Sequence, residues 1–388
     1  MKRKLALLLA AVLLLTASCG TNPAEAETET TAAVETTEPT TEAPGNTMTG
    51  EELMKELKIG WNLGNTFDAP GGETDWGNPF TTPELLQYVK ELGFNTIRIP
   101  ITWHTHVGPA PEYIIDESWM NRVDTVVKQA LDAGLYVIIN SHHDNEVYMP
   151  NAENEENAKT YLTAIWAQVA EHFKDADYRL IFQTMNEPRV AGSYYEWWVD
   201  TKSEECMAAV EVVNQLNQAA VDTIRATGGN NADRFIIVSP YAANSNAARL
   251  SSFRLPEDPA GKLIVSIHAY TPYDLCLNTD PTKNTFSPAG AGEIKSIMAG
   301  LNRMYIQKGI PVIIDEMGIV NKDNPEAKYE WAKTYISLAK EYGMPCVWWD
   351  NGVTTVGVES FAIINRRKLT INEVSQSVYD GLMAGLEE

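Results

Sequence analysis

The sequence predicts a single (β/α)8 barrel, an α/β fold in which eight parallel strands alternate with eight helices. Short apolar runs rich in Ile and Val alternate with longer helix-periodic segments from about residue 57 onward. Several of these runs are continuously apolar, which is typical of parallel strands covered on both faces. Residues 51–388 have the length of one barrel with its loops, so we expect a single folded domain there and no second one.

A doubly wound sheet is the alternative α/β architecture. It normally has fewer strands and a glycine-rich turn that holds a phosphate. Gly60–Gly64 is the only candidate for such a turn and lacks the required spacing, and the sequence contains no P-loop lysine motif. The closed barrel is therefore the preferred prediction.

The N-terminus has the pattern of a signal peptide spanning residues 1–19. Residues 2–4 are Lys-Arg-Lys, and an apolar run over residues 5–15 follows, which is too short to cross a membrane. Small residues then lead to Cys19, as in a bacterial lipoprotein box, so we expect Cys19 to be lipidated. Thr16 stands where Leu is usual in that box. The alternative is ordinary secretion with cleavage nearby.

Residues 20–50 are predicted to form a disordered tether between the anchor and the barrel. They contain ten Thr and six Glu and no aromatic or basic residue. Such a segment buries too little surface to order itself, and its like charges extend it. We therefore expect an exported protein that is anchored to a membrane and faces outward. Membrane contact is expected through this lipid anchor alone.

The predicted strands and helices alternate through the rest of the chain. The strands are 58–63, 96–100, 136–142, 180–186, 235–240, 263–269, 311–315 and 344–349. The helices are 82–92, 119–133, 156–174, 205–227, 246–252, 291–308, 326–342 and 371–385. Thr82-Pro83-Glu84 and Asn324-Pro325-Glu326 read as helix starts with Pro at the first helical position. Gly93, Gly134, Gly309 and Gly343 lie at helix ends, where a positive φ is useful.

Charge excludes nucleic acid as a partner. The chain has a formal net charge of −22, and residues 51–388 alone carry −19, whereas nucleic acid requires a basic face. A neutral polymer remains possible. The chain contains ten Trp and sixteen Tyr, whose planes suit ligands with apolar faces such as sugars, although ordinary core packing uses them too.

No cofactor or metal is predicted. Three cysteines follow Cys19, namely Cys206, Cys276 and Cys346. Their number is odd and their spacing does not suit a metal site, so we expect buried or free thiols. The protein is expected to be a monomer. His104 and His106 have the spacing of a ligand pair, but no third and fourth ligand is evident.

Polar residues are concentrated where the predicted strands end, which is where barrel enzymes build their active sites. Glu187 and Glu316 end strands 4 and 7, and an unpaired buried carboxylate is costly. The two carboxylates could flank a glycosidic bond. A separation of about 5–5.5 Å retains and one of about 6.5–9.5 Å inverts the anomeric configuration. The alternative is that each forms a salt bridge at the barrel rim.

The neighbours suggest different roles for the two carboxylates. Arg98 would keep Glu316 ionised as the nucleophile, with a hydrogen bond from Tyr270. Glu187 would keep a raised pKa and act first as acid and then as base. His268 would bridge by hydrogen bonds, and Asn186 would contact the 2-hydroxyl of the attacked sugar.

The strand-end motifs, in order along the chain, resemble glycoside hydrolase family 5, the cellulase family A. They are Ile-Arg98-Ile-Pro, His142-His143, Asn186-Glu187-Pro188, His268-Ala-Tyr270, Asp315-Glu316-Met-Gly and Trp349. Further phrases resemble subfamily 4, which holds bacterial endoglucanases and xyloglucanases. They are Gly60-Trp-Asn-Leu-Gly-Asn65-Thr-Phe-Asp68, Trp76-Gly-Asn-Pro79 and Trp348-Trp349-Asp-Asn-Gly352.

The resemblance implies retaining hydrolysis of internal bonds of β-1,4-glucans in an open cleft, including xyloglucan or mixed-linkage glucan. It implies Glu187 as acid/base and Glu316 as nucleophile. The residues expected to line the attacked sugar are Arg98, His142, Asn186, His268 and Tyr270, with Trp349 stacked on it. Asn65 and Trp76 would contact sugars toward the non-reducing end, and Trp197 and Trp198 would form a platform on the leaving-group side.

Two expectations concern side-chain direction. Neighbouring strand residues face opposite sides, so His142 and His143 can both face the cleft only if the strand has already ended. Trp348 is expected to point away from the cleft, opposite to Trp349.

Rival functions are a mannanase, a xylanase or an exo-acting glycosidase on the same barrel, and a metal-dependent amidohydrolase using the histidine pairs. A surface-anchored glycan-binding protein is the rival outside enzymes.

Overall fold

The computed structural model describes residues 45–388. The predicted signal peptide, Cys19 and most of the predicted tether lie outside the described residues. Within the described part of the chain, no helix is long and apolar enough to cross a membrane.

The predicted fold class is confirmed, because strands β1–β8 form a closed parallel barrel in sequential order. The strands are Ile59–Leu63, Thr96–Ile99, Tyr136–Asn140, Leu180–Gln183, Ile236–Val238, Leu263–His268, Val312–Met317 and Cys346–Asp350. Strand β1 pairs with both β2 and β8, which closes the barrel. Each strand is almost entirely buried, as expected when helices cover the outside and side chains fill the inside.

Helices surround the barrel and cover its ends. They are α1 Gly50–Glu56, α2 Pro83–Glu91, α3 Glu117–Asp132, α4 Glu155–His172, α5 Glu204–Ala226, α6 Tyr273–Cys276, α7 Pro288–Met304, α8 Pro325–Glu341 and α9 Gln376–Glu387. The predicted helix over 246–252 is wrong, since only a 3₁₀ turn, Leu250–Ser252, forms there. The side chains of Asn244 and Asn246 accept from the N–H groups of Asn246 and Ala248, which competes with a helix.

The predicted helix signals are confirmed in part. Thr82 accepts from the Leu85 N–H and precedes Pro83 at the first helical position. Asn324 precedes Pro325 in the same way, but its side chain accepts no hydrogen bond from the N–H groups of the first helical turn. Its amide nitrogen donates instead to the carbonyl of Asn284. The four glycines expected at helix ends all have positive φ, as a left-handed residue after a helix requires.

Helix α1 closes the amino-terminal end of the barrel. Leu53, Met54 and Leu57 pack against inward-facing residues of the strands, including Ile138 and Ile313. Thr49 and Glu52 form a capping box at the helix start, a signal present in the sequence although no helix was predicted there. Ordered contacts begin even earlier in the chain, since the Asn46 N–H donates to Asp233 and the Lys262 ammonium to the carbonyl of Met48.

The C-terminal segment holds a second difference from prediction. A two-stranded ribbon, β9 Ile364–Asn365 and β10 Thr370–Ile371, precedes α9, which begins at Gln376 rather than at residue 371. Arg366 in this ribbon makes a buried ion pair of 3.0 Å with Asp350 at the end of β8. Asp350 also accepts from the Trp61 indole at 3.0 Å. These contacts join the ribbon to both strands of the barrel seam.

Candidate active site

The two glutamates predicted to be catalytic meet at the carboxyl end of the barrel. Glu316 belongs to β7, whereas Glu187 lies four residues beyond the end of β4. One carboxylate oxygen of each lies within 4.8 Å of the other and of a His268 ring nitrogen. A shift in the pairing of β6 with β7 after Ile267 places His268 opposite Glu316. The backbone therefore brings the three ionisable groups together.

The Arg98 guanidinium organises the floor of the site from β2. It is fully buried, and its Nη1 donates to Glu316 Oε1 at 2.8 Å and to Asn62 Oδ1 at 2.8 Å. Its Nη2 donates to Asn186 Oδ1 at 2.6 Å, and its Nε to Gln183 Oε1 at 2.8 Å. Asn186 is thus oriented with its amide nitrogen free for a ligand, and Glu316 faces a fixed positive charge.

Tyr270 supplies the second donor to Glu316, as predicted. Its hydroxyl donates to Glu316 Oε2 at 3.0 Å. Burial raises the pKa of Tyr270 well above its ordinary value, and the charge of Glu316 raises it further, so the hydroxyl stays protonated as a donor.

Glu187 has a different set of partners. His268 Nδ1 lies 2.7 Å from its Oε1, so the predicted histidine bridge is present, with Glu316 Oε2 at 3.5 Å from the same nitrogen. Arg189 Nη1 lies 3.5 Å from its Oε2 and donates to its backbone carbonyl at 3.1 Å. The Glu187 side chain keeps 17% of its surface exposed, against 7% for Glu316. Glu187 is therefore the more accessible of the two carboxyls.

The pKa of Glu187 is lowered and that of Glu316 is raised, which reverses the expected division of roles between an ionised Glu316 and a Glu187 with raised pKa. Burial acts to raise the pKa of Glu187, but the hydrogen bond and charge of His268 outweigh it and lower the pKa. Burial raises the pKa of Glu316, and the charges of His268 and Arg98 offset it only in part. Burial would lower the pKa of His268, but Glu316, Glu187 and Asp315 raise it. The contact between His268 and Glu187 therefore shifts the two pKa values in the directions that favour the charged form of each group.

His142 and His143 both face the cleft, because β3 ends at Asn140 before the two histidines. Their rings meet edge to face with centroids 4.5 Å apart. His142 is buried and lies parallel to Trp349 at 5.7 Å, whereas the side chain of His143 is 40% exposed. Burial lowers the pKa of His142 well below its ordinary value, so it lines the site as a neutral ring.

The predicted sugar contacts toward the non-reducing end lie beside this pair. Trp76 is half-exposed, with its ring centroid 5.8 Å from that of His143. Asn65 has a φ of 52°, and Asp68 accepts from the N–H groups of Asn65 and Thr66, which fixes this turn. Trp349 lies 9% exposed in the cleft wall, whereas Trp348 is buried and packs against Trp331, as predicted.

The predicted leaving-group platform lies in the segment between β4 and α5. Trp197 and Trp198 are 52% and 48% exposed. The guanidinium of Arg189 lies 4.1 Å from the centre of the Trp197 ring, a cation–π contact that fixes one ring face. Since Arg189 also contacts Glu187, it links the predicted platform to the two glutamates.

Among the described residues, two groups of side chains bring possible metal-ligand atoms within 4.8 Å of one another. They are Asp68–His142–His143 and Glu187–His268–Glu316. In the first group, both Asp68 oxygens already accept backbone N–H groups. In the second, the Arg98 guanidinium 2.8 Å from Glu316 repels a cation. His104 and His106 do not form a pair, because His104 faces Asp144 at 3.0 Å and His106 stacks on Trp119.

Sequence reasoning missed Arg189 and Gln183. Arg189 follows the Asn-Glu-Pro motif directly and is the signal that could have been used. Gln183 is the polar residue of β4, whose other residues are Leu180, Ile181 and Phe182. An amide inside a buried strand requires partners, so its position pointed to a polar network within the barrel. Among the described residues, Cys206, Cys276 and Cys346 are buried free thiols, as expected.

Comparison with known proteins identifies the family of this chain. Residues 62–354 match the family model described as Cellulase (glycosyl hydrolase family 5). The chain is 43% identical over 339 residues to Cellulase/esterase CelE of Acetivibrio thermocellus, covering 87% of this chain but 40% of CelE. It is 45% identical over 328 residues to Endoglucanase A of Ruminococcus albus, covering 82% of this chain and 88% of that protein.

Solved structures share the whole barrel. One is a GH5-4 broad specificity endoglucanase from Ruminococcus champanellensis with bound cellotriose, with 40% identity, a TM-score of 0.82, and coverage of 87% of this chain and 98% of that one. Another is XEG5A, a GH5 xyloglucan-specific endo-β-1,4-glucanase from a metagenomic library in complex with cellotriose, with 39% identity, a TM-score of 0.80, and coverage of 85% and 97%.

A GH5 family lichenase from Caldicellulosiruptor sp. F32 is 36% identical, with a TM-score of 0.83 and coverage of 89% of this chain and 97% of that one. The predicted resemblance to subfamily 4 is confirmed, since the similar structures include ones described as GH5-4. The chain belongs to glycosyl hydrolase family 5 and is a glycoside hydrolase.

Proposed function

We propose that this protein is a retaining endo-β-1,4-glucanase that cleaves cellulose-like glucans by double displacement. The observation that carries the proposal is that one carboxylate oxygen of Glu187 lies within 4.8 Å of one of Glu316. Inverting glycosidases hold their carboxyls about 6.5–9.5 Å apart to admit a water, and retaining enzymes about 5–5.5 Å apart. The close approach of the two carboxyls favours the retaining arrangement, in which one carboxylate attacks directly.

Glu316 is the proposed nucleophile because two donors hold its oxygens in fixed positions. Its Oε1 faces Arg98 and its Oε2 faces Tyr270. In the first step, one carboxylate oxygen forms a bond to the anomeric carbon while the bond from that carbon to the glycosidic oxygen breaks. The Arg98 charge favours the ionised form of the attacking carboxyl against the effect of burial, and it does not have to move during the reaction.

Glu187 is the proposed acid/base because its Oε1 lies 2.7 Å from His268 Nδ1, a distance at which the two groups can exchange a proton. The Glu187–His268 pair delivers one proton to the glycosidic oxygen as the leaving chain departs. In the second step, Glu187 takes a proton from water, whose oxygen attacks the anomeric carbon and releases Glu316. The lowered pKa of Glu187 suits the base role, and His268 can supply the proton that the acid role requires.

The surrounding residues are proposed to grip the sugars without net charge. Asn186, oriented by Arg98, presents its amide nitrogen to the 2-hydroxyl, where hydrogen bonds strengthen in the transition state. Trp349 offers a ring face to the attacked sugar, beside His142, while His143, Asn65 and Trp76 line the non-reducing side. Trp197 offers an exposed ring to the leaving chain. A neutral polysaccharide explains why a protein of net charge −22 needs no basic cleft.

The substrate range is proposed to include unbranched β-1,4-glucan, mixed-linkage glucan and xyloglucan. The support is that similar structures are described as a broad specificity endoglucanase, a lichenase and a xyloglucan-specific endo-β-1,4-glucanase. A mannanase or xylanase on the same barrel and a glycan-binding protein are the rivals.

One assay panel tests these possibilities. The purified protein is incubated with carboxymethylcellulose, mixed-linkage glucan, xyloglucan, mannan and xylan, and released reducing ends are counted beside loss of viscosity. We expect reducing ends and a rapid viscosity fall on the glucans, and none with the Glu316→Ala variant. ¹H NMR of the first-formed product should show the β-anomer. Activity confined to mannan or xylan contradicts the substrate, and an α-anomer contradicts the double displacement.

We also propose that the protein is an exported monomer tethered through a lipid on Cys19. The support is the basic start, the short apolar run and the small residues before Cys19, followed by the Thr/Glu-rich segment. A labelled fatty acid should enter the full-length protein in a bacterial host and should fail to enter the Cys19→Ala variant. Label in both variants, or in neither, contradicts lipidation at Cys19. Size-exclusion chromatography with light scattering tests the monomer.

A further inference from the structure

A buried polar network lies beneath the catalytic pair, inside the barrel. Asp315 precedes Glu316 on β7 and is fully buried. Ser266 lies 2.7 Å and 2.9 Å from its two carboxylate oxygens, and the Gln183 amide donates to Oδ2 at 2.7 Å. Arg98 Nε approaches the same oxygen at 3.8 Å. These donors and this positive charge stabilise a carboxylate in a place where an unpaired one is costly.

Asp315 faces the far side of the His268 ring. His268 Nε2 lies 3.6 Å from Asp315 Oδ1, which is beyond hydrogen-bond distance but close enough for a strong charge interaction. Within residues 45–388, this buried Nε2 finds no hydrogen-bond partner. The other ring nitrogen, Nδ1, lies 2.7 Å from Glu187. The imidazole therefore stands between two carboxyls, one on each nitrogen.

We propose that Asp315 is a positioning residue. Its negative charge keeps Nε2 of His268 protonated, so that the exchangeable proton of the ring is the one on Nδ1, which faces Glu187. The proposal deepens the proposed function and rests on it. With Nε2 kept as N–H, a proton at the other nitrogen can reside either on Nδ1 or on Glu187 Oε1. A carboxylate behind a histidine plays the same part in the catalytic triad of serine hydrolases, where it fixes the tautomer and stabilises the imidazolium.

Other charged or titratable groups surround His268. Glu187 after β4 and Glu316 on β7 contact its Nδ1, His142 after β3 interacts with it through charge, and Arg98 on β2 and Tyr270 after β6 contact Glu316 beside it. Asp315 differs from all of these in facing Nε2 from inside the barrel, where substrate does not reach. It can therefore set the charge of His268 in the same way with and without a sugar in the cleft.

The test replaces Asp315→Asn, which keeps the shape of the side chain and removes its charge. An asparagine amide can still accept from Gln183 and donate to the Ser266 hydroxyl, so the network can persist. The chain has six His, which makes ¹⁵N NMR titration of the imidazoles practical, with His268→Gln used to assign the signal. We expect the His268 pKa to fall by about 1–3 units, and the alkaline limb of kcat/KM on carboxymethylcellulose to fall with it.

The matched control is Ser266→Ala, which removes a hydrogen bond to Asp315 but leaves its charge. It should keep the His268 titration and the alkaline limb near those of the wild type. An unchanged His268 titration in Asp315→Asn overturns the proposal, and so does an equal shift in Ser266→Ala, because the effect would then be structural. The NMR titration does not need activity, so it remains decisive if no glucan is cleaved and the proposed function fails.

The wild-type protein provides a second measurement if Asp315→Asn does not fold. The ¹⁵N shifts of neutral His268 at high pH identify which nitrogen keeps its proton. We expect Nε2–H. The opposite tautomer, with the proton on Nδ1, overturns the proposal.

Discussion

Replacing Arg98→Gln should move the acid limb of activity upward, because Arg98 is the fixed positive charge beside Glu316. The Arg98 Nη1 to Glu316 Oε1 distance of 2.8 Å corresponds to a Coulomb attraction of about 6 kcal/mol at an effective dielectric constant of about 20. That figure is a ceiling, since His268 also offsets the Glu316 charge. An arginine next to a carboxylate lowers the carboxylate pKa by about 1–3 units.

The direction in which the acid limb moves follows from the groups around Glu316. Burial already raises the pKa of Glu316 above its ordinary value, and Arg98 works against that rise. Without Arg98 the pKa rises further, so the nucleophile stays protonated to a higher pH. The expected result is an acid limb of kcat/KM displaced upward by about 1–3 units. At a pH on the original acid limb, this is a loss of about 10- to 1,000-fold, which is partly regained as the pH is raised.

The assay is the pH dependence of kcat/KM on soluble carboxymethylcellulose, with circular dichroism and thermal unfolding at each pH. Arg98→Lys is the control that keeps a positive charge but loses the four-way hydrogen bonding. It should lower the rate with a smaller displacement of the acid limb. A uniform loss of rate in Arg98→Gln with an unmoved acid limb would refute the electrostatic reasoning and leave Arg98 a packing role.

Three further predictions concern other parts of the chain. Glu187→Ala should lower kcat on polysaccharide by about 10²- to 10⁴-fold, yet retain a fast first step on an aryl cellobioside with an acidic leaving group; an equal loss in that burst contradicts the acid role. Trp197→Ala should raise KM about 2- to 10-fold for cello-oligosaccharides that extend over the leaving-group side, with KM for a short aryl cellobioside as the unchanged control. Burial lowers the pKa of Lys328 from 10.5 to about 8, so the folded state releases a proton that the unfolded state keeps between these values. The free energy of unfolding of the wild type, relative to that of Lys328→Met, should therefore rise between pH 8 and about pH 10. Thermal unfolding at each pH measures it, and a difference between the two proteins that does not change with pH would contradict the burial argument.

The barrel could be predicted because its signals are local and repeated. The apolar runs that became β1–β8 are short and rich in branched residues, and glycines such as Gly93 and Gly343 separate the preceding helices from them. The exact ends could not be predicted. β3 and β4 end at Asn140 and Gln183, earlier than predicted, and the side chains of these two residues hydrogen-bond to each other inside the barrel, a pairing that the sequence does not show.

The candidate site also has a part that could be predicted from the sequence and a part that could not. Glu187, Glu316, Arg98 and Tyr270 could be placed from strand ends and motif order, since parallel strands deliver their carboxyl ends to one rim. The distribution of protons among Glu187, His268 and Glu316 could not be predicted from the sequence. It depends on a 2.7 Å contact between His268 and Glu187, and on the pairing shift that puts His268 opposite Glu316. Three coupled ionisable groups titrate together, so their individual pKa directions follow only from three-dimensional distances.

The closure of the barrel by α1 has a practical consequence for handling the protein. Leu53 and Leu57 sit at the end opposite to Glu187 and Glu316, and the chain already contacts that end at Asn46. A bead, a surface or a fusion partner coupled just ahead of residue 45 would therefore adjoin the back of the enzyme. Immobilised in this orientation, the protein would present its cleft outward, where a long insoluble fibre has unobstructed access.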